Sequence, residues 1–254
     1  MLILLSCAKT MADNCQCEAL PTLSKPAFAD EARHTAAILS HMEADEIARL
    51  LNVSPAIAAE NKMRYLNFAL NTDLMPALLA YTGIVFQRMN PGDFSTDDFR
   101  YADSHLRITS FLYGLLRPLD GISPYRLEGK VRLEEYGGIT MFDYWKSRLT
   151  DRLIADVKAA GGTLCNLASA EMKNLFDWKR VKRELRVITP DFKVDKGDRM
   201  ATVTVYTKMM RGEMTRFILK NRLTDPADLQ QFHSEEGFVY NPLLSKPDAP
   251  MFTL

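Results

Sequence analysis

The sequence predicts a mixed α/β fold in a single domain over residues 1–254, with a mixed sheet flanked by helices. Short apolar runs at 2–5 and 163–167 have the length and composition of buried strands. Residues 143–160 have the period of a long amphipathic helix that a glycine pair would end. The chain has 254 residues, 47% of them hydrophobic, and no Ser/Gly/Pro-rich linker, so one large core is expected.

The first third of the chain predicts one strand followed by three helices. A small polar turn follows the strand at 2–5, and Ser24 with Pro26 is typical of a helix start. The three helices are expected at about 24–42, 43–51 and 54–71.

The rest of the chain predicts alternating strands and helices. Residues 77–81 form an apolar run typical of a buried strand, and Ser95 caps a helix that extends to about His105. The remaining elements are a strand at 106–109, the helix at 143–160, the strand at 163–167 with a short helix after it, a hairpin of 184–194 with 199–206, and a helix at 208–222.

Charge is balanced overall but unevenly placed. The net charge is zero, so no global field directs the chain to nucleic acid or membrane. Residues 1–60 carry eight acidic and four basic residues, whereas residues 173–222 carry 14 Lys and Arg against six Asp and Glu. This asymmetry predicts a basic surface, unless the charges interdigitate on folding.

Targeting, redox and metal signals are weak. The apolar run at 1–5 is shorter than the roughly 7–15 residues of a secretory signal, and no run nears the roughly 20 of a membrane helix. We therefore expect a cytoplasmic protein without a membrane partner, with Cys7, Cys15, Cys17 and Cys165 reduced. The four histidines are scattered and the nucleotide-binding motifs are absent, so no metal site and no cofactor is predicted.

Residues 105–128 predict a loop that binds an anion. Three arginines stand there beside tyrosines and acids among turn-forming residues, and guanidinium groups offer forked donors to anions. The candidates are Arg107, Tyr113, Gly114, Arg117, Asp120, Tyr125, Arg126 and Glu128. An internal ion-pair network that holds a long loop is the alternative interpretation.

Two other segments add basic candidates. Ser6 and Lys9 directly follow the first strand, where loops commonly line a site. Lys208, Arg211 and Arg222 fall on one helical face, opposite a face of Met and Phe that should pack. We expect Lys9, the 107–128 loop and this helix to converge on one site.

Four segments, as an ordered set, resemble the YaaA family of bacterial peroxide-stress proteins. They are residues 2–10, 105–128, 166–169 and 208–224. The resemblance implies a compact α/β fold and a cytoplasmic protein that resists peroxide by limiting free iron and oxidative DNA damage. It also implies DNA binding through a positively charged cleft and a helix-hairpin-helix-like element, for which 110–118 is the best match.

Three functional hypotheses follow. The first is a peroxide-stress protein that binds double-stranded or distorted DNA without sequence preference, through phosphate contacts from Lys9, Arg107, Arg117, Arg126, Lys208, Arg211 and Arg222. The second is an enzyme of unknown reaction on a small phosphorylated or nucleobase-like anion, with Lys9, Asp120 and Glu128 as catalytic candidates. The third is an interaction or iron-handling factor without catalysis. Bases along a groove favour DNA, whereas bases and acids in one pocket favour the enzyme.

Overall fold

The computed structural model describes residues 1–15 and 17–254, and it confirms the mixed α/β class. The strands are β1 (Leu2–Leu5), β2 (Met75–Pro76), β3 (Leu106–Ser110), β4 (Gly114–Leu116), β5 (Gly121–Ile122), β6 (Thr163–Asn166), β7 (Arg186–Ile188), β8 (Asp191–Asp195), β9 (Met200–Ala201), β10 (Val239–Tyr240) and β11 (Met251–Thr253). The α-helices are α1 (Ala29–His41), α2 (Ala44–Leu51), α3 (Pro55–Asn67), α4 (Ala77–Ala80), α5 (Ile84–Met89), α6 (Thr96–His105), α7 (Met141–Ala159), α8 (Trp178–Glu184) and α9 (Thr204–Lys220).

The central sheet has the strand order β4-β3-β1-β6-β7. β1 lies parallel to β3 on one side and to β6 on the other, with Ile3 opposite both Leu106 and Cys165. All four residues of β1 are buried, as expected for a parallel strand covered on both faces. The chain leaves β1 towards β3 and later leaves β6 towards β7, so the two connections run in opposite directions. Such a reversal opens a crevice beyond the carboxyl ends of the strands.

Helices cover both sides of this sheet. α7 buries Trp145 completely, and its indole nitrogen donates to the carbonyl oxygen of Phe111 over 2.8 Å. α9 and α5 approach very closely, because a Cβ on Gly212 would stand 2.1 Å from the carbonyl oxygen of Val85. Only glycine permits that contact, and it places the start of α5 beside the middle of α9.

A second sheet, of order β10-β11-β8-β9, packs through aromatic rings near the C-terminus. Phe192 of β8 stacks on Phe252 of β11 with ring centroids 5.6 Å apart, and Phe232 meets Phe252 edge-on at 5.5 Å. This sheet contacts α9 through β8, and Tyr206 and Phe217 of α9 pack edge-on against Phe238 and Phe232.

Four predicted elements differ in the structure. The strand predicted at 184–194 is divided between β7, in the central sheet, and β8, which pairs with β9 in the second sheet. Residues 77–81 were expected as a strand, but Ala77–Ala80 forms the short helix α4, because Ala and Leu are strong helix formers. The strand predicted at 199–206 is limited to Met200–Ala201, and α9 already begins at Thr204. Ser24 does not cap α1; its hydroxyl donates to Asp120 over 2.7 Å.

The segment expected to resemble a helix-hairpin-helix element is a β-hairpin. β3 and β4 pair antiparallel, with Ile108 opposite Leu116 and Ser110 opposite Gly114. The Ser110 hydroxyl oxygen accepts the backbone N–H groups of Leu112 and Tyr113, which closes the turn. The backbone N–H groups of Leu112 and Tyr113 are therefore satisfied internally, and residues 110–118 do not form the helix-hairpin-helix-like element that the resemblance implied.

Within the described ranges, no helix has the length and apolar composition needed to cross a membrane.

Candidate anion-binding pocket

A cavity of about 450 Å³ opens at the carboxyl ends of the central strands, where the topology predicts a crevice. The residues after β1 and β6 form its floor, and the first turns of α5 and α9 form one side. Apolar side chains supply much of the wall; they include Leu5, Ile84, Val85, Phe86, Phe111, Leu127, Leu167 and Met172. The volume is typical of a small-molecule site.

The loop after β1 brings Ser6 and Lys9 to the pocket. The Ser6 hydroxyl oxygen accepts the backbone N–H of Ser169 over 2.8 Å, which joins the loops after β1 and β6. The ammonium group of Lys9 donates to both carboxylate oxygens of Glu128, each 3.0 Å away. Lys9 is 65% exposed, so this pair lies at the pocket mouth.

Glu128 is shared between two cations. Arg126 Nη2 donates to Glu128 Oε1 over 3.1 Å, and this oxygen also accepts from Lys9. The Tyr65 hydroxyl donates to the carbonyl oxygen of Arg126 and so holds its backbone. Arg126 Nε is buried and finds no acceptor in the described part of the chain. Arg126 therefore retains a donor that a bound molecule could satisfy.

The helix α9 presents two cations that form no ion pair with the described residues. Lys208 and Arg211 both line the pocket, three residues apart on α9. Among residues 1–15 and 17–254, neither side chain has a carboxylate oxygen within 4.0 Å. Arg211 is half-buried, and burial lowers the pKa of its guanidinium group. A buried cation without a counter-ion is costly, and such sites are typical of anion binding.

Tyr125 and Cys7 line the pocket but do not supply reactive groups to it. The Tyr125 hydroxyl is held in the core, 2.6 Å from Ser110 Oγ and 2.8 Å from the Tyr81 hydroxyl. Burial raises the pKa of Tyr125 well above its usual value. Burial likewise raises the pKa of the Cys7 thiol to about 12, so this thiol stays protonated near neutral pH and is a poor nucleophile.

Three predicted basic residues lie outside the pocket. Arg107 is buried, with its Nε 2.6 Å from Asp156 Oδ2. Arg117 pairs with Asp120 at 3.2 Å, and Arg222 pairs with Asp98 at 2.6 Å. The alternative interpretation of residues 105–128, an internal ion-pair network, therefore holds for Arg107 and Arg117. The predicted cleft of seven bases is not assembled; four of its members, Lys9, Arg126, Lys208 and Arg211, line the pocket.

Other candidates from residues 105–128 are also structural. Asp120 is only 1% exposed and accepts from Ser24 and from the Arg117 backbone N–H. The Tyr113 hydroxyl oxygen accepts the backbone N–H of Ser123, and Gly114 packs against the Trp145 ring. Of the three catalytic candidates, the structure brings Lys9 and Glu128 to the pocket and leaves Asp120 in the core.

The expected basic face of the last helix is also interrupted. Thr215 and Leu219, which share the face of Lys208 and Arg211, are fully buried. Arg222 lies beyond the helix end with a positive φ of 54°. The helix packs on several sides, so only its first turns reach the pocket.

Residues 1–244 match the family described as peroxide stress protein YaaA. The chain belongs to the YaaA family. It is 59% identical to a UPF0246 protein of Bacteroides fragilis over 254 residues, covering 100% of this chain and 98% of that protein. It is 44% identical to a UPF0246 protein of Porphyromonas gingivalis over 256 residues, with 100% of both chains covered. The resemblance inferred from four segments is therefore confirmed.

In this YaaA-family chain, sequence reasoning missed the contribution of α5. Gly83 precedes the helix, and a Cβ there would stand 2.7 Å from the Ala8 Cβ, so glycine allows the loop after β1 to pack against α5. The Thr82–Gly83 turn signal was visible in the sequence, but its partner 75 residues away was not. Glu171 joins the pocket from the short 3₁₀ helix Ala170–Leu175.

The YaaA-family chain was predicted to carry no metal. Within the described residues, no group of three or more His, Cys, Asp or Glu side chains is arranged to hold a metal ion. We still predict that the purified protein lacks stoichiometric iron. Metal analysis of protein prepared without reconstitution can test this prediction.

Proposed function

We propose that this protein serves in the peroxide stress response by binding a small anionic molecule with an apolar body in the pocket at the carboxyl ends of β1 and β6. The observation that carries the proposal is the uncompensated pair of Lys208 and Arg211 at an apolar cavity. The anionic group would contact these cations, and the body would contact the apolar wall.

The distribution of charge favours a small ligand over a long polymer. Bases and acids are concentrated in one cavity, with Glu128 and Glu171 among the basic side chains. Glu128 lies within ion-pair distance of both Lys9 and Arg126. A carboxyl group held in this way beside a bound ligand suits a general base or a group that positions the ligand.

The test is calorimetric titration with benzoate, phenyl sulfate and phenyl phosphate, three small anions with the same apolar body. We expect saturable binding to the wild-type protein and a loss of about tenfold or more in affinity in Arg211→Gln, because a charge-assisted contact is removed. The matched control is Lys146→Gln, an exposed cation of α7 away from the pocket. Absence of binding by all three anions would contradict the proposal.

DNA binding is a second proposed function, supported by a different surface. A shallow groove next to the 3₁₀ helix Ala170–Leu175 is lined by four bases and one acid: Lys173, Lys182, Arg186, Lys246 and Asp248. Arg186 pairs with Asp248 at 3.0 Å, while the three lysines have no ion pair within the described ranges. Such a groove can contact phosphates without reading bases.

This proposal predicts binding that falls steeply as salt rises, with a random duplex competing nearly as well as any chosen sequence. The triple change Lys173→Gln, Lys182→Gln and Lys246→Gln should reduce the salt slope by up to about three. Arg211→Gln should leave it unchanged. Salt-insensitive or sequence-selective binding would argue against phosphate contact, and any effect on iron-dependent DNA damage would then need another route.

A further inference from the structure

The cations of α9 make the pocket suited to an anion of a particular charge. Lys208 and Arg211 are three residues apart, so their Cβ atoms are roughly 5–6 Å apart on one side of the helix. Like charges at this spacing repel, and within the described residues neither side chain has a carboxylate oxygen within 4.0 Å. The Asp191 carboxylate acts on Arg211 only from a longer distance. A single group that carries two negative charges would contact both and remove the repulsion.

The sum of the pocket charges also indicates a ligand with two negative charges. Four cations line the cavity, namely Lys9, Arg126, Lys208 and Arg211, together with two carboxylates, Glu128 and Glu171. The two carboxylates leave two positive charges uncompensated. The single charge of Glu128 is shared by Lys9 and Arg126, whereas Lys208 and Arg211 form no ion pair within the described residues.

We propose that the ligand is a small phosphomonoester, bound as its dianion with the phosphate on Lys208 and Arg211. This inference rests on the proposed pocket function and specifies its substrate class. A phosphomonoester has a second pKa of about 6 and is mostly dianionic at neutral pH, whereas carboxylates, sulfate esters and phosphodiesters carry one charge. Its three terminal oxygens also match a forked guanidinium beside a point-charge ammonium.

The rest of the cavity lining indicates the size and polarity of the ligand body. Phe111, Leu127 and Met172 line the pocket with apolar and aromatic surface. A volume of about 450 Å³ accommodates a body of one or two rings and is far too small for a duplex. Arg126 Nε, buried without an acceptor, offers a hydrogen bond to an oxygen on that body.

The test compares phenyl phosphate with phenyl sulfate, which have nearly the same shape and differ in charge. At about pH 8 we expect the phosphate to bind about tenfold more tightly, and at about pH 5, where it becomes a monoanion, the ratio should approach one. Both affinities are measured on the same protein at the same pH. Titration of the protein's own groups therefore affects both anions, and its effect cancels in the ratio. Equal affinities at about pH 8 would overturn the inference and leave the pocket proposal intact, whereas no binding of either anion would overturn both.

Variants locate the selectivity. Lys208→Gln and Arg211→Gln should each lower the phosphate-to-sulfate ratio to about two or less, because one charge of the pair is lost. Arg211→Lys should keep most of the ratio, and Lys146→Gln, on the exposed side of α7, should keep all of it. A ratio that neither glutamine variant changes would show that the dianion binds elsewhere.

The end of a DNA strand offers the same dianion, so its contribution must be separated. A single-stranded oligonucleotide with a 5′-phosphate is compared with its 5′-hydroxyl form. The inference expects the binding free energy of phenyl phosphate to be at least as favourable as the gain in binding free energy that the 5′-phosphate gives the oligonucleotide. A much larger gain from the 5′-phosphate, lost in Arg211→Gln, would make a strand end the ligand and overturn the small-molecule inference.

Discussion

Individual arginines in this protein have two different roles that depend on their partners. Arg107 is buried and paired with Asp156, whereas Arg211 is half-buried and has no acid within ion-pair distance in the described chain. Removing one member of a buried pair leaves the other charge unpaired in the core. Removing an uncompensated cation instead relieves a desolvation cost. The same residue type is thus structural at one position and available to a ligand at the other.

Arg107→Gln should lower the free energy of unfolding by about 3–5 kcal/mol, as breaking a buried ion pair does. Arg211→Gln should leave that free energy unchanged or raise it, while weakening anion binding. Urea denaturation measures the first effect and calorimetric titration the second. A large loss of stability in Arg211→Gln would identify it as a structural residue and remove the main support for the anion site.

A pair of carboxyl groups outside the pocket makes the free energy of unfolding depend on pH. Burial, and then the carboxylate of Glu236, raise the pKa of Glu213 to about 7. Arg88 contacts both acids, with 3.7 Å to Glu213 Oε1, but Glu213 Oε1 and Glu236 Oε2 are buried without a hydrogen bond. Because the folded-state pKa is raised above the unfolded value of 4.5, the native protein binds the proton more tightly. The proton on Glu213 therefore stabilises the folded protein fully below about pH 4.5, and this stabilisation is lost as pH rises through about 7.

Glu213→Gln should therefore raise the melting temperature more at about pH 8 than at about pH 5, because the neutral amide cannot repel Glu236. Each kcal/mol corresponds to about 2–4 °C for a domain of this size. Glu135→Gln, an exposed carboxylate, is the control and should show no such pH dependence. An identical effect of Glu213→Gln at both pH values would show that the two carboxyl groups do not share a proton.

At the scale of elements, the pocket depends on the contact between α5 and α9. Gly212 allows α9 to touch the Val85 carbonyl oxygen, and both Val85 and Arg211 line the pocket. A glycine inside a helix usually costs stability, so its presence here reflects the close approach. The position of the cations relative to the apolar wall therefore follows from one glycine.

Gly212→Ala should separate the two helices, lower the free energy of unfolding by about 1–3 kcal/mol and weaken phenyl phosphate binding. The added Cβ would meet the Val85 oxygen at 2.1 Å, a contact with backbone that cannot move away easily. Gly92→Ala is the matched control, because the nearest atom to its Cβ would be 4.0 Å away. Thermal melting and calorimetric titration check both effects. Normal stability in Gly212→Ala would mean that the helices separate at little cost.

At the scale of the molecule, the pocket joins segments far apart in the chain. The loop after β1, residues 125–128 and the start of α9 all reach it, while the sheet of β8 to β11 supports α9 from behind. A ligand that contacts all three segments should couple their local opening, because it binds only the closed arrangement.

Saturating phenyl phosphate should therefore slow amide hydrogen exchange together in residues 6–10, 125–128 and 208–211. At 100 times its Kd, a ligand stabilises the folded state by about 2.7 kcal/mol, which also raises the melting temperature. Exchange in β10 and β11 should change least. Protection confined to one segment would mean that the anion binds a local patch and not the shared pocket.

The sequence by itself determined the α/β class, the family and most element positions. Strand β1 and helices α2, α6 and α7 lie close to where periodicity and capping signals predict them. Those signals are local: an apolar run or an N-cap serine acts within one turn or one strand. Competing local propensities explain the errors at 77–81 and 199–206, where short segments suit both helix and strand.

The site was decided by the tertiary structure. Lys9, Arg126 and Lys208 were expected to share a site, and they line one pocket, but nothing local distinguished them from Arg107, Arg117 and Arg222. After folding, the latter three each pair with an aspartate, namely Asp156, Asp120 and Asp98. Lys9 and Arg126 instead share the single carboxylate of Glu128, and Lys208 forms no ion pair in the described chain. Asp120 is near Arg117 in sequence, but Asp156 and Asp98 are remote from their arginines, and ion pairing depends on distance in space, so only the folded chain separates a structural arginine from one available to an anion.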